Sequence, residues 1–405
     1  MNLSIKNNLR LVSTLAASLL FAIQSADAAD APVLSLTIRC TNTVWKVGDE
    51  IPIEFRITNR GTNDYKYADR TYDRSGRMDE YSLIAKNESG EAVSDPRANH
   101  KGGWFGGGLF NHQVLKPGQS FTKIIPLNRW ALVKESGRYV VTGTYPSSVY
   151  STNSTAVSSD PITITVQPRT EKEMDDYISN ICNRIAAIPP TKFIASTQMP
   201  ENVRVTNSVT DPMLNDLVNK LTYTCSSKIV PTLLKTIYEP ASGGFWESEA
   251  LLFYVPRSDK IKRAIIATAA KRGLANGMQH VLIEYGCKSK ELQPLIERSL
   301  APENLQSWMA GALAAQQYAN DAFTPRLIAL ATESQNVARV QAIYALAANR
   351  TDESVKALKA LLNDPDPKIR EHTERAIHIS YSSRGIWQGR PLKPADFDAR
   401  FQAAK

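Results

Sequence analysis

VKALKALLNDPDPKIREHTERAI, residues 355–377, decides the fold of the larger part of the chain. Val355, Leu358, Leu361 and Leu362 recur at helical spacing, so one helix buries that side. Asp364-Pro365-Asp366-Pro367 then stops this helix and starts the next. The next begins with the nonapeptide IREHTERAI at 369–377, and ARVQAIYAL at 338–346 and LQSWMAGAL at 305–313 share its pattern. Their first, fifth, eighth and ninth residues fall on one helical stripe, with Ala312, Ala345 and Ala376 at the eighth position. A second amphipathic stretch precedes each nonapeptide: from Leu292, from Thr324 and from Val355. Steps of some thirty residues are those of a stacked two-helix repeat. This register sets Leu313, Leu346 and Ile377 at matching buried positions, and an earlier copy is legible at 261–269.

The D-P-D-P-x-I-R joint and the paired helices resemble the short HEAT-like repeats of the PBS-lyase type. The resemblance is best over 354–379 and fades toward the N-terminus. It implies an all-α HEAT-like solenoid acting as a scaffold.

The N-terminus reads differently. Lys6 and Arg10 precede a short apolar run, and Ala26-Asp27-Ala28 has the small-x-small form of a cleavage site. Residues 1–28 read as a secretory signal peptide, which implies a periplasmic or extracellular protein. No later stretch is apolar for long enough to span a bilayer. The full sequence carries a net charge of +8, and +7 without residues 1–28 (8 − 2 + 1). That excess is modest and spread out, which argues against nucleic acid and leaves acidic proteins, lipids or glycans as partners.

Residues 29–168 have β texture. Alternating or apolar runs begin near Val33, Ile51, Glu80, Ser120, Arg138 and Pro161, and turn-forming clusters separate them. Short strands without helical pattern imply an antiparallel sandwich. VGDEIPIEFRITN from Val47, LKPGQS from Leu115 and GRYVV from Gly137 resemble an immunoglobulin-like domain of the secreted bacterial type. That resemblance puts a structural tyrosine at Tyr139, while the antibody-type cysteine pair is missing. The segment 60–78 reads as a polar, charged loop. Residues 100–109 read as a glycine-rich loop that displays Trp104 and Phe105 or tucks them onto the sheet.

The fold class is therefore multidomain, an antiparallel immunoglobulin-like sandwich followed by an all-α solenoid over 169–381 and a tail over 382–405. Thr170 caps the first helix, which ends before Pro189-Pro190. Trp387 and Phe401 suggest that the tail folds back onto the last repeat.

Candidate chemistry is sparse. No HExxH, GxSxG, P-loop or paired CxxC occurs, so no catalytic residue and no cofactor are assigned. His280, Glu284 and Cys287 follow i, i+4, i+7 spacing, so one continuous helix would align three metal ligands. Glu374 with His378, and His100 with His112, are weaker pairs. Arg326, Lys356 and Lys359 lie on the first helices of successive repeats and form a weakly basic face for an acidic partner if those helices are the inner ones. Cys40, Cys182, Cys225 and Cys287 allow three full pairings, with Cys182–Cys225 the favoured bridge. Together these features point to an exported, non-enzymatic protein that binds a protein or peptide through its helical repeats. The competing expectations are an envelope hydrolase or its regulator with a site at the domain junction, and a sandwich that binds glycan or inhibits a peptidase. Sequencing the exported protein is expected to give Ala29 as its first residue; an uncleaved chain retained in the cytoplasm contradicts the leader.

Overall fold

The computed structural model describes residues 33–73, 77–78, 80–98, 108–146, 156–189, 212–239, 244–304, 307–318, 320–332 and 338–382. A β region precedes a helical one, and the chain divides into two compact units, Met1–Arg169 and Thr170–Lys405. Residues 1–28, expected to be a signal peptide, together with Trp104, Phe105, His100 and the tail beyond residue 382, lie outside the described residues.

In the first unit, β1 (Leu34–Arg39), β3 (Pro52–Asn59) and β7 (Ser120–Pro126) form an antiparallel sheet in the order β1-β3-β7. A second sheet runs β2 (Val44–Lys46), β10 (Ile162–Gln167), β8 (Gly137–Pro146), β5 (Ser82–Lys86), with β9 (Ala156–Ser158) on β8. The inward residues of both sheets, including Leu36, Phe55, Ile57, Val141 and Ile164, belong to one buried cluster. Two buried asparagines tie the strand ends. Asn59 donates to the Asn63 and Leu115 carbonyls and accepts from Gly61 N–H. Asn128 accepts from Ile51 N–H and donates to the Asp49 carbonyl. These bonds offset the cost of burying the amides. Tyr139 is buried, and its hydroxyl donates to the Glu135 carbonyl at 2.8 Å.

Within the segment 60–78 expected to be a charged loop, residues 65–73 form a strand. β4 (Tyr65–Asp73) pairs antiparallel with β6 (Gly108–Leu115), which takes the last two residues of the expected glycine loop. Tyr65 is buried, and Tyr67 stacks on Phe121 at 4.2 Å between ring centroids. Alternating tyrosines gave this strand an inward face that its charged residues disguised.

The second unit opens with α1 (Glu171–Ala186), which Thr170 caps as expected; Glu173 completes a reciprocal capping box with it. α2 (Pro212–Tyr223), α3 (Val230–Thr236) and α4 (Phe245–Glu249) follow, and α4 runs into a π-helical turn at Ala250–Tyr254. The remainder is paired: α5 (Asp259–Arg272) with α6 (Met278–Glu284), α7 (Ser289–Leu300) with α8 (Trp308–Gln317), α9 (Thr324–Thr332) with α10 (Arg339–Asn349), and α11 (Asp352–Leu361) with α12 (Pro367–Ser382). Each second helix packs on the next: α6 on α8, α8 on α10, α10 on α12.

Burial fixes a 31-residue period. Ile265, Ile296, Leu327 and Leu358 are buried equivalents on the first helices, each 31 positions after the last. On the second helices the column is Ala314, Ala345, Ala376, at 0, 0 and 1 % exposure. This corrects the sequence register by two residues at α8. Ala312 is buried too, but Leu313 and Ile377 are only half-buried, and Leu313 shares its column with Tyr344 and Arg375. The alanines let neighbouring helices approach. Gly311 does the same against α7, since a β-carbon there would lie 2.8 Å from that of Ser299.

The DPDP joint works as expected, with one partner the sequence did not announce. Asp364 forms a buried ion pair with Arg339, the first residue of α10, and its other oxygen accepts from Asp366 N–H. Arg339 also donates to the Ala331 carbonyl at 2.7 Å, closing the end of α9. No disulfide links the four cysteines. The expected Cys182–Cys225 bridge does not form: Cys182 Sγ sits 3.2 Å from Thr232 Oγ1, and Cys225 lies in a turn with positive φ after α2.

The register is checked by truncation. Leu346→Ala, at a fully buried site, is expected to cost about 2–5 kcal/mol in chemical denaturation. Leu313→Ala is expected to cost clearly less, about 1–2 kcal/mol, because that side chain is only partly enclosed. Equal costs would restore the 33-residue spacing between these two leucines.

Candidate binding surface

The structure scatters the expected metal ligands. α6 ends at Glu284, and Gly286 with φ 78° turns the chain, so Cys287 is not on the helix at all. Glu284 pairs with Arg257 at 3.2 Å. His280 Nε2 lies 3.4 Å from Gln317 Nε2. Cys287 is buried beside Lys262, and its thiol pKa is raised because burial outweighs that positive neighbour. Among the described residues no three histidine, cysteine or carboxylate side chains converge as a metal site. Glu374 and His378 are exposed neighbours on α12.

The basic trio does not act as a set either. Arg326 is a bracket inside the array. Its Nε donates to the Leu300 carbonyl at 2.6 Å, and its guanidinium lies 4.8 Å from the Trp308 ring centroid. The 31-residue period places it in register with Leu295 and Ala357, not with Lys356. Lys356 is exposed on α11, whereas Lys359 is half-buried with its Nζ enclosed; the core side is Val355, Leu358 and Leu361 as expected.

A different set of side chains shares a face. The half-exposed stripe of the second helices holds Leu313 and Gln317 on α8, Gln341 and Tyr344 on α10, and His372 on α12, continued by the exposed Arg375. Columns at 31-residue spacing relate Leu313, Tyr344 and Arg375, and likewise Gln341 and His372. Two cross-helix contacts tie the stripe together. His280 on α6 meets Gln317, and Tyr344 Oη lies 3.4 Å from His372 Nδ1, with their rings edge-to-face at 6.2 Å. Burial raises the Tyr344 hydroxyl pKa; Arg375 opposes the shift and Glu371 adds to it, so a charge of each sign lies close by. Imidazole, amide and phenol groups both donate and accept hydrogen bonds, which is the chemistry that recognises peptide groups. The amide oxygens of Gln317 and Gln341 are buried without a partner among the described residues. No periodicity of charge marks this stripe in the sequence; only the three-dimensional register gathers it.

Sequence reasoning also passed over Glu247 and Glu249. Both are buried on α4, next to the π turn, and Ser248 between them donates to the Asn276 carbonyl at 2.8 Å. Their signal in the sequence is two carboxylates set into the aromatic and apolar run FWESEALLFY. Nearby, the Tyr285 hydroxyl donates to the Leu251 carbonyl at 3.1 Å, and burial pushes its pKa up to about 12 against the opposing charge of Arg257.

No helix among the described residues is long and apolar enough to cross a membrane. No family model matches the chain, and no curated protein matches it. Solved structures similar to it include human deoxyhypusine hydroxylase in complex with glycerol, 11% identical over 52% of this chain and 98% of that one, with a TM-score of 0.25. The native conformation of E. coli alpha-2-macroglobulin is 12% identical over 92% of this chain and 26% of its own, at 0.18. A polysaccharide lyase is 13% identical over 88% of this chain and 48% of its own, at 0.19. Superpositions this loose carry neither a fold nor a function to this chain.

Proposed function

We propose that this is an exported, non-enzymatic binding protein that recognises a protein or peptide through the second-helix face of a HEAT-like array. The observation that carries the reading is the stripe from His280 to Arg375, where donor-acceptor side chains from four successive second helices line one face. In a stacked array the face with the closer helix spacing is the inner one, and the packing of α8 on α10 and of α10 on α12, with an enclosed alanine on each, supports the second helices as that face. An extended peptide laid across the helices would exchange backbone hydrogen bonds with Gln317, Gln341, Tyr344 and His372 and set a side chain against Leu313. The immunoglobulin-like reading of the β unit is supported by the Tyr139 hydroxyl bond to the carbonyl four residues upstream. Export rests on the leader-like residues 1–28.

A photo-crosslinking amino acid placed in turn at Leu313, Tyr344 and Lys356, in cells that make the protein, tests this reading. One adduct of the same mass is expected from positions 313 and 344 and not from 356. Adducts from Lys356 alone would move recognition to the outer side of the first helices. Trapping at none of the three would remove the array as the binding element.

A further inference from the structure

The outer face of the β1-β3-β7 sheet has a composition unlike a protein interface. Register places Ser35, Thr58 and Ser120 in one row across the three strands, and Thr37, Arg56 and Thr122 in the next. Neighbouring positions in a row are about 5 Å apart on a rigid backbone. The Thr58 and Ser120 hydroxyls are 2.7 Å apart, so each is ordered. Arg60, just past β3, donates through Nε to the Ser35 hydroxyl at 3.2 Å. Its guanidinium therefore lies at the end of the hydroxyl row, with Arg56 in the adjacent row.

The charge of this face is not cancelled. Glu54 is its only carboxylate among the described residues, and Arg39 holds it at 2.6 Å. The Arg56 side chain is exposed and makes no ion pair or hydrogen bond to a described residue; that of Arg60 makes no ion pair to one. Two guanidiniums thus face water uncompensated, across a field of hydroxyls. Protein partners dock on contiguous apolar and aromatic anchors. Here the large exposed apolar side chains, Val33 and Ile124, sit at diagonal corners of the sheet and form no patch. Ordered hydroxyls beside planar cationic forks suit a ligand that carries both ring hydroxyls and fixed anionic groups.

We infer that this sheet face binds an anionic polysaccharide. Arg56 and Arg60 pair with its carboxylate or sulfate groups, and the Thr58 and Ser120 row hydrogen-bonds its sugar hydroxyls. The site lies wholly in the β unit and stands or falls independently of the helical array.

The test uses the full mature chain with four probes: heparin, polygalacturonate, neutral dextran and polyglutamate. Calorimetric binding to heparin, polygalacturonate or both is expected, with none to dextran and a loss on adding salt. The R56Q/R60Q double variant is expected to lower that affinity about tenfold or more, while Lys290→Gln, on exposed α7 surface, leaves it unchanged. Thr58→Val is expected to weaken the polysaccharide and not polyglutamate, since it removes a hydroxyl and no charge. Circular dichroism melts of each variant identify loss of fold, and a second double variant, R56K/R60K, retains charge without the planar fork and is expected to recover part of the affinity. Absence of binding to both polyanionic glycans overturns the proposal. So does equal binding by R56Q/R60Q and the parent, or polyglutamate binding as tight as polysaccharide and equally blind to Thr58→Val.

Discussion

Close approach of the second helices is the constraint on which the helical unit depends. At Ala314, Ala345 and Ala376 the side chain is a single methyl and is fully enclosed. Any larger group there must displace its enclosed surroundings, because protein interiors are packed as densely as molecular crystals. Gly311 imposes the same limit between α7 and α8. Around these contacts the ends of the helices are pinned by polar brackets rather than by more apolar surface. Arg339 joins the end of α9 to the DPDP joint through Asp364, and Asn349 clamps the turn before α9 through Asn320 and Thr324. Removing one partner of the Arg339–Asp364 pair would leave a charge buried and unpaired, which costs far more than the pair itself contributes.

The same tight packing creates the candidate surface. Where buried positions recur at a fixed period, the outward positions between them recur at the same period. A 31-residue period that buries the alanines also sets Leu313, Tyr344 and Arg375 in one line and Gln341 and His372 in the next. Under the proposed reading, side chains held in this way would lose little conformational freedom on binding a ligand. In the β unit the strand register plays the equivalent part, placing hydroxyls and guanidiniums in rows across β1, β3 and β7.

Most elements were legible because polar and apolar residues contrast along them. Val355, Leu358 and Leu361 against Lys356 and Lys359 define one face of α11, and the Thr170–Glu173 cap and the six expected strands are equally explicit. The order of a β region before a helical one follows from that contrast alone. Legibility failed where the contrast vanished. α8 reads WMAGALAAQQ, and alanine suits a buried or an exposed position, so the pattern tolerates a slip of two residues. β4 hid its alternating tyrosines among Lys66, Asp69 and Arg70, and the turn at Gly286 cut short a helix whose spacing otherwise reached Cys287. The stripe from His280 to Arg375 was invisible for a related reason: its residues share no chemistry along the chain, only a place across it.

The measurement that bears most directly on this account is the denaturation midpoint of Ala345→Leu, set beside Ala348→Leu one turn along on the open stripe of the same helix. Overpacking at position 345 is expected to cost about 1–3 kcal/mol, with the change at 348 near zero. A stable Ala345→Leu protein, or equal losses at both positions, would mean that the second helices do not meet at the alanine column and would contradict both the register and the surface built on it.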